Sequence, residues 1–220
     1  MDDLAARVLF IDGEAIVIDK PAGLAVHPGP RTRASLEDHL DGLRFGFARR
    51  PKPVHRLDRD TSGCLLLSRN PKAHIRFSRA FERGEASKTY VAVLDGVPAE
   101  REGRIGMALA KVSSRERGWH MVPDPAGQPA ATRWRLIAES GGRAFVLFEP
   151  ETGRTHQIRV HAAEGLSLPI AGDPVYGSGE GPMLLHALAL KVPRDGKPAI
   201  EARAPLPAAF FAAGFDDAGL

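Results

Sequence analysis

The 220 residues predict an α+β fold, with a mixed, largely antiparallel β-sheet as its core and helices and loops flanking it. Two observations carry this. Short apolar runs, β-branched or leucine-rich, recur along the whole chain, each bounded by Gly, Pro, Asp or Asn, and such patterning reads as strands. Helical periodicity is confined to a few segments, so strands outnumber helices. Neither an internal repeat nor a low-complexity linker interrupts the pattern.

In chain order, Ala15–Ile18, Gly63–Leu67, Tyr90–Leu94, Trp134–Ile137, Phe145–Phe148 and Leu184–Val192 are the expected strands. The clearest helix is Pro71–Glu82. Proline opens it as an N1 residue would, and Ala73, Phe77, Ala80 and Phe81 follow the i, i+4, i+7, i+8 spacing of a buried stripe. Lys72, Arg76, Arg79 and Arg83 run alongside as a basic stripe. Ser35–Leu40 and Thr155–Ala163 are weaker helical segments, and Leu206–Phe211 is expected to form a short terminal helix. Turn-forming residues concentrate in Lys20–Arg31, Pro98–Gly106, Ser113–Gly127 and Ala171–Gly181. None of these is long enough to divide the chain, so residues 1–220 are expected to form a single catalytic-size domain.

Composition narrows the function classes. A single cysteine, Cys64, excludes an internal disulfide and a cysteine-based zinc site. An apolar content of 43% is too high for global disorder. No apolar run approaches the roughly 18 residues that span a bilayer, and the acidic start MDDLAARVLF lacks a signal-peptide plan, so a cytoplasmic protein is expected. The net charge of +3 hides an asymmetry: between Arg44 and Lys88 lie twelve bases and four acids. A basic block on a near-neutral chain suits a polyanionic partner or a solvated surface.

The stretch most informative about chemistry is His55-Arg56-Leu57-Asp58-Arg59-Asp60-Thr61-Ser62-Gly63, a polar loop feeding an apolar strand. Scaffolds tend to present reactive groups from such positions. Arg56 and Arg59 flank Asp58 and favour its ionised form, and an ionised carboxylate can act as nucleophile or base without a metal. Thr61 and Ser62 can bond back to the backbone and hold the turn. Read by itself, the same stretch is also compatible with a capped turn carrying surface arginines.

This segment resembles the HRLDxxTSG signature of the RluA-type pseudouridine synthases, complete through Gly63. Three further blocks resemble that family in the same order. Lys20-Pro21-Ala22-Gly23-Leu24-Ala25-Val26-His27-Pro28 is similar to its KPxGxxxHP block, and Lys88-Thr89-Tyr90 to its KxY motif. Thr152-Gly153-Arg154-Thr155-His156-Gln157-Ile158-Arg159-Val160-His161 is similar to its TGRxHQIRxH motif. Gly172-Asp173-Pro174-Val175-Tyr176-Gly177 and Leu185-His186-Ala187 also fit, so the resemblance runs from about Val17 to Val192.

The resemblance implies an isomerase of RNA uridines on the pseudouridine synthase catalytic fold. It breaks the N1–C1′ bond and rejoins the base through C5, with no cofactor. By the same resemblance Asp58 is the catalytic carboxylate, attacking the sugar or assisting departure of the base as a glycal forms. Tyr90 matches the aromatic residue that stacks on the target base, and a tyrosine supplies both an apolar face and a hydroxyl. Arg159 matches the base that pairs with the aspartate, since a guanidinium can hold a carboxylate at two points; Arg154 is the second candidate. On a helix over Thr155–Ala163, Thr155, His156 and Arg159 would lie on neighbouring turns.

RNA is the implied partner, as transfer RNA, ribosomal RNA or both. A stacked uridine has to be extruded before a carboxylate reaches C1′. The arginine of the HRLD block, Arg56, is implied to fill the vacated space, where its flat guanidinium can stack. Arg59, Lys72, Arg76, Arg79, Arg83, Lys88, Arg154 and His156 are the further candidate RNA contacts. A metal site is not expected: His156 and His161 are five apart, and neither HExxH nor Cys–His spacing occurs. Glu151 with Asp58 could be imagined as a glycosidase pair, but an aromatic content of 6% does not suit a sugar-polymer groove.

Two functional readings follow, an RNA uridine isomerase and an RNA-binding protein or chaperone with weak or no catalysis on the same fold. The joint presence of Asp58, Tyr90 and Arg159 favours the first. Many members of the resembled family carry an N-terminal S4-type domain. Here the KPxG block begins at residue 20, so a compact form without that domain, monomeric and dependent on its own basic block for RNA capture, is expected.

Overall fold

The computed structural model describes residues 3–29, 32, 34–114 and 118–220. Positions 30–31 and 115–117 of the turn-rich stretches above lie outside the described residues. Among the described residues, twelve strands occur in the order β1 (Val8–Ile11), β2 (Ala15–Lys20), β3 (Lys52–Pro53), β4 (Ser62–Ser68), β5 (Ser87–Leu94), β6 (Glu102–Gly106), β7 (Leu109–Ser114), β8 (Gly118–Pro123), β9 (Ala131–Ser140), β10 (Arg143–Pro150), β11 (Leu185–Val192) and β12 (Ile200–Arg203). Three α-helices accompany them, α1 (Pro71–Glu82), α2 (Gln157–Val160) and α3 (Ala208–Ala212). The α+β expectation holds, and each of the six expected strands lies on an observed one.

The chain forms two compact units. The first runs to Lys88 and takes in Ala187–Pro205; the second is Thr89–His186 with Leu206–Leu220. In the first unit β2 pairs antiparallel with β1 and β4, while β3 pairs with β4 and β12 with β11. Every residue of β2 and β4 is buried, as expected for strands covered on both faces. The covering element is α1. Asn70 caps it by accepting the Ala73 amide at 2.9 Å, Pro71 occupies its first turn, and Ala73, Phe77 and Ala80 are its buried stripe. It ends before Gly84, whose φ of +70° suits glycine. These side chains pack with Val17, Cys64, Leu66, Leu190 and Ile200 into one core cluster. Burial pushes the Cys64 thiol up to about 12.

In the second unit β5, β10, β9 and β6 lie side by side in antiparallel register, and β7 with β8 forms a separate hairpin. Phe148, Val146, Trp134, Ile158 and Ile170 centre its core.

Several expectations are corrected. Pro98–Gly106 and Ser113–Gly127, read as turns, contain β6 and β8. Ile105 is the one buried residue of β6, and pairing to β9 across a long loop makes it a strand whatever its own composition, because neighbouring strands dominate β preference. Ser35–Leu40 is a 3-10 turn over Leu36–Leu43. The expected helix Thr155–Ala163 begins two residues late: α2 starts at Gln157 and passes into a π-helical turn at His161–Gly165. Thr155 and His156 therefore precede the helix that carries Arg159. The terminal helix begins after Pro207, at Ala208.

Candidate active site

Asp58 stands in the loop between β3 and β4, and three contacts fix that loop. The Thr61 amide donates to the Asp58 carbonyl at 3.2 Å, closing a turn. His55 is stacked on Phe81, with ring centroids 4.5 Å apart, and its Nε2 accepts the Leu66 amide of β4 at 3.0 Å. Burial, with the nearby Lys88 charge, pushes His55 down to about 3, so the ring is neutral and the first residue of the HRLD block is an anchor. The third contact comes from Lys20 at the end of β2, with no exposed surface at all. Its Nζ donates to the carbonyls of Pro21 and Leu24 at 2.8 Å and of Arg59 at 3.0 Å. An ammonium has three N–H donors, and here each has a backbone acceptor. Burial pushes Lys20 down to about 7, against the pull of Asp60, Asp58 and Asp19. The Gly23 amide donates to the same Arg59 carbonyl at 2.9 Å, tying the KPxG block to the aspartate loop.

Gly63 closes the signature for a steric reason. Its φ is +107°, and a Cβ there would lie 2.2 Å from the Ala187 carbonyl oxygen. Only a residue without a side chain lets the start of β4 approach that backbone.

Arg159 and Tyr90 belong to the second unit. Arg159 is buried on α2 and meets Asp173 at two points, Nε to Oδ2 and Nη2 to Oδ1, each at 2.7 Å. Asp173 also accepts the amides of Val175 and Tyr176. Burial alone would raise the Asp173 carboxyl; the Arg159 guanidinium and those two amides outweigh it and hold the group below its ordinary value. The helix is pinned by Gln157, whose Nε2 donates to the Ala131 carbonyl and Thr132 Oγ1 and whose Oε1 accepts Thr152 Oγ1 and the Arg154 amide. His161 continues this buried network to Thr132 Oγ1 and the Met107 carbonyl. His156 adopts a left-handed φ of +54°, a conformation that costs free energy for a residue with a Cβ and persists where the surroundings impose it. Its ring stacks on Trp119 and its Nδ1 lies 2.9 Å from the Tyr176 hydroxyl. Tyr90 is partly buried in the middle of β5, opposite Phe148 and packed against the core cluster.

The candidate RNA contacts separate into two groups. Arg56, Lys72 and Arg79 are exposed, and Arg154 is exposed with its Nε donating to the Pro129 carbonyl. Arg76 is ion-paired with Glu14 at 2.7 Å, Arg59 with Asp60 at 3.0 Å and Arg83 with Glu85 at 3.7 Å. Lys88 is half-buried, and burial pushes its ammonium below the ordinary value. Among the described residues no three His, Cys, Asp or Glu gather to hold a metal ion, and no helix is long and apolar enough to cross a membrane. Sequence reasoning assigned no role to Lys20, Asp173, Gln157 or Tyr176, although all four sit inside quoted motif blocks. A lysine followed by proline in an otherwise apolar strand was the available signal for Lys20.

An aspartate on a backbone-clamped loop, followed by a basic helix, defines the class as an RNA-modifying isomerase once set beside known proteins. The family model for RNA pseudouridylate synthase matches residues 14–164, and the chain belongs to that family, in its RluA-type branch. It is 55% identical over 219 residues to an uncharacterized RNA pseudouridine synthase of Zymomonas mobilis, covering 98% of this chain and 100% of that one. It is 34% identical over 182 residues to ribosomal large subunit pseudouridine synthase D of the same organism, covering 80% of this chain and 57% of that protein. Among solved structures, human RNA pseudouridylate synthase domain containing 4 superposes with a TM-score of 0.80 at 25% identity, covering 94% of this chain and 91% of that one. Human RNA pseudouridylate synthase domain containing 1 gives 0.76 at 27% identity, covering 90% and 82%. The protein is therefore an isomerase that converts uridine to pseudouridine in RNA.

Proposed function

We propose that Asp58, Tyr90 and Arg159 carry this isomerisation, with residues 1–220 acting as one catalytic domain. The observation that carries the reading is the clamp on the Asp58 loop, where buried Lys20 holds the carbonyl of the adjacent Arg59. A carboxylate on a backbone fixed in this way keeps its aim without reorganisation. The family match across residues 14–164, which takes in the greater part of each compact unit, supports treating them together.

In the proposed reaction the Asp58 carboxylate attacks C1′ or assists as the N1–C1′ bond breaks to a glycal. The freed uracil turns, C5 bonds to C1′, N1 takes up a proton from solvent, and C5 gives up its own, which then exchanges into solvent. Tyr90 stacks on the base and receives that proton. By the family resemblance Arg159 pairs with the Asp58 carboxylate, and Asp173 orients its guanidinium at two points. Arg56 fills the place of the extruded uridine, while Arg59, Lys72, Arg76, Arg79, Arg83, Lys88, Arg154 and His156 engage the flanking RNA. Of these, Lys72 and Arg79, exposed on α1, are the strongest phosphate contacts, because phosphates prefer cations not already neutralised. Ribosomal RNA is the first substrate to test, since the relatives include ribosomal large subunit synthases; transfer RNA is the second. The protein acts as a cytoplasmic monomer and needs no cofactor.

The test is tritium release from RNA labelled at uridine C5. Native protein releases tritium and Asp58→Asn, folded to the same extent by circular dichroism, does not. Release by Asp58→Asn at the native rate removes Asp58 from the mechanism.

A further inference from the structure

A second feature of the first unit has no part in the chemistry at Asp58. Where β4 ends and α1 begins, the chain encloses a cavity of about 540 Å³. Arg44, Arg49, Arg50, Lys52 and Arg69 line it against a single acid, Asp41, which is taken by Arg44 at 2.6 Å. Arg49, Arg50 and Lys52 are exposed and have no carboxylate partner among the described residues. Arg69 is only 7% exposed. Its Nη atoms donate to the carbonyls of Asp12, Arg44 and Phe45, and its guanidinium lies 3.6 Å over the Phe47 ring. Its Nε is buried without an acceptor. A buried guanidinium hydrogen-bonded only to carbonyls, whose nearby acid Asp12 is already paired with Arg194, beside three cations without a carboxylate partner, is an electrostatic arrangement that an anion completes. The positive end of the α1 dipole adds to it, and His74, held by Ser68 Oγ at 2.9 Å, brings no negative charge.

We propose that this cavity binds a phosphodiester of the substrate RNA, remote from the target uridine. The inference rests on the RNA-isomerase reading and extends it to a second anchoring point. From Ser62 to Ser68 β4 advances about 20 Å at roughly 3.3 Å per residue, so the cavity stands on the order of six stacked nucleotides from Asp58 at about 3.4 Å each. Arginine forks match phosphate oxygens, and Arg69 acts as the positioning residue that pins residues 44–47, the segment leading into Arg49 and Arg50.

The experiment compares R49A/R50A with Lys191→Glu, which changes net charge equally at a residue of β11 that does not line the cavity. Filter binding is measured against salt, with a long hairpin RNA and with one trimmed to three nucleotides on either side of the uridine. The expected result is an about tenfold weaker Kd for R49A/R50A on the long RNA. Its log Kd against log salt slope falls by about 1.4 to 1.8 for two lost phosphate contacts. The trimmed RNA and Lys191→Glu show no such loss. Equal weakening by Lys191→Glu, or equal weakening on the trimmed RNA, overturns the proposal. So does an R49A/R50A protein that binds long RNA like the native one, even if inorganic phosphate then proves to occupy the cavity. Tritium release from the native protein is scored separately, so failure of the isomerase reading is seen there and failure of the cavity is seen in the binding slope.

Discussion

Replacing Lys20 with methionine tests how the aspartate loop is held. The substitution keeps the length and apolar stem of the side chain and removes the ammonium. Three backbone carbonyls lose a donor, but that of Arg59 keeps the Gly23 amide. The carbonyls of Pro21 and Leu24 are left, each costing about 1–3 kcal/mol when buried without a partner. Against this stands relief of a buried charge. The group moves from its ordinary 10.5 to about 7 on folding, and at 1.36 kcal/mol per tenfold change in proton affinity this penalty is about 4–5 kcal/mol near pH 7. The two effects nearly cancel at neutral pH, so Lys20→Met and native protein should differ by only about 2 kcal/mol there. The sign with pH is fixed by linkage. The depressed folded value means that the unfolded chain binds more protons between pH 7 and 10.5, so native stability is lowest at and below pH 7 and recovers as pH rises towards 10.5. Lys20→Met lacks this dependence, and native protein should gain roughly 4 kcal/mol over the variant between pH 7 and pH 10. Urea denaturation at matched pH values reads this difference, and contributions from other titrating groups cancel between the two proteins. A gap that stays constant within about 1 kcal/mol over that range refutes the account of Lys20 as a buried, costly ammonium.

Other outcomes follow from single contacts. Asp173→Asn takes from the buried Arg159 guanidinium the carboxylate that holds it at two points and should cost about 3–5 kcal/mol in urea denaturation at pH 7. Because the Asp173 carboxyl is held below its ordinary value, the native advantage should be present above pH 4 and disappear as pH falls through the folded value; an advantage unchanged at pH 2 contradicts this. Gly63→Ala meets both a left-handed φ and the Ala187 backbone, and should lower stability by about 3–5 kcal/mol. Gly23→Ala, with φ +85° but open space for a Cβ, should cost only about 1–2 kcal/mol. In salt-dependent RNA binding, Arg79→Ala should lower the slope by about 0.7–0.9, whereas Arg76→Ala, already paired with Glu14, should lower it by less.

Much of the first unit was legible from residue order. Pro71–Glu82 is helical between the limits that its proline, its apolar spacing and Asn70 dictate, because capping and amphipathicity are local properties. The strands around Val17 and Leu66 were likewise readable from continuous apolar runs. By contrast β6 was hidden, since Glu102, Arg104 and the two glycines of that strand are made extended by β9. For the site, the motif blocks singled out Asp58, Tyr90 and Arg159, but no local rule tells that Lys20 points inward to three carbonyls. Nor could spacing show that Asp173 meets Arg159, because that pair depends on a turn fourteen residues away in the chain. His156 illustrates the same limit: helical periodicity carried it into α2, whereas its contacts with Trp119 and Tyr176 place it in a left-handed turn before the helix.

The sole cysteine has a practical consequence. Cys64 lies in the middle of the first unit's packing with its thiol pushed to about 12, so almost no thiolate forms near neutrality and alkylating reagents find nothing to attack. A cysteine introduced at any exposed position then becomes the one reactive handle on the molecule, without first removing a native one. Fluorophores or photocrosslinkers attached in turn at Arg49, Arg79 and Arg154 could chart the path of a bound nucleic acid over the protein surface.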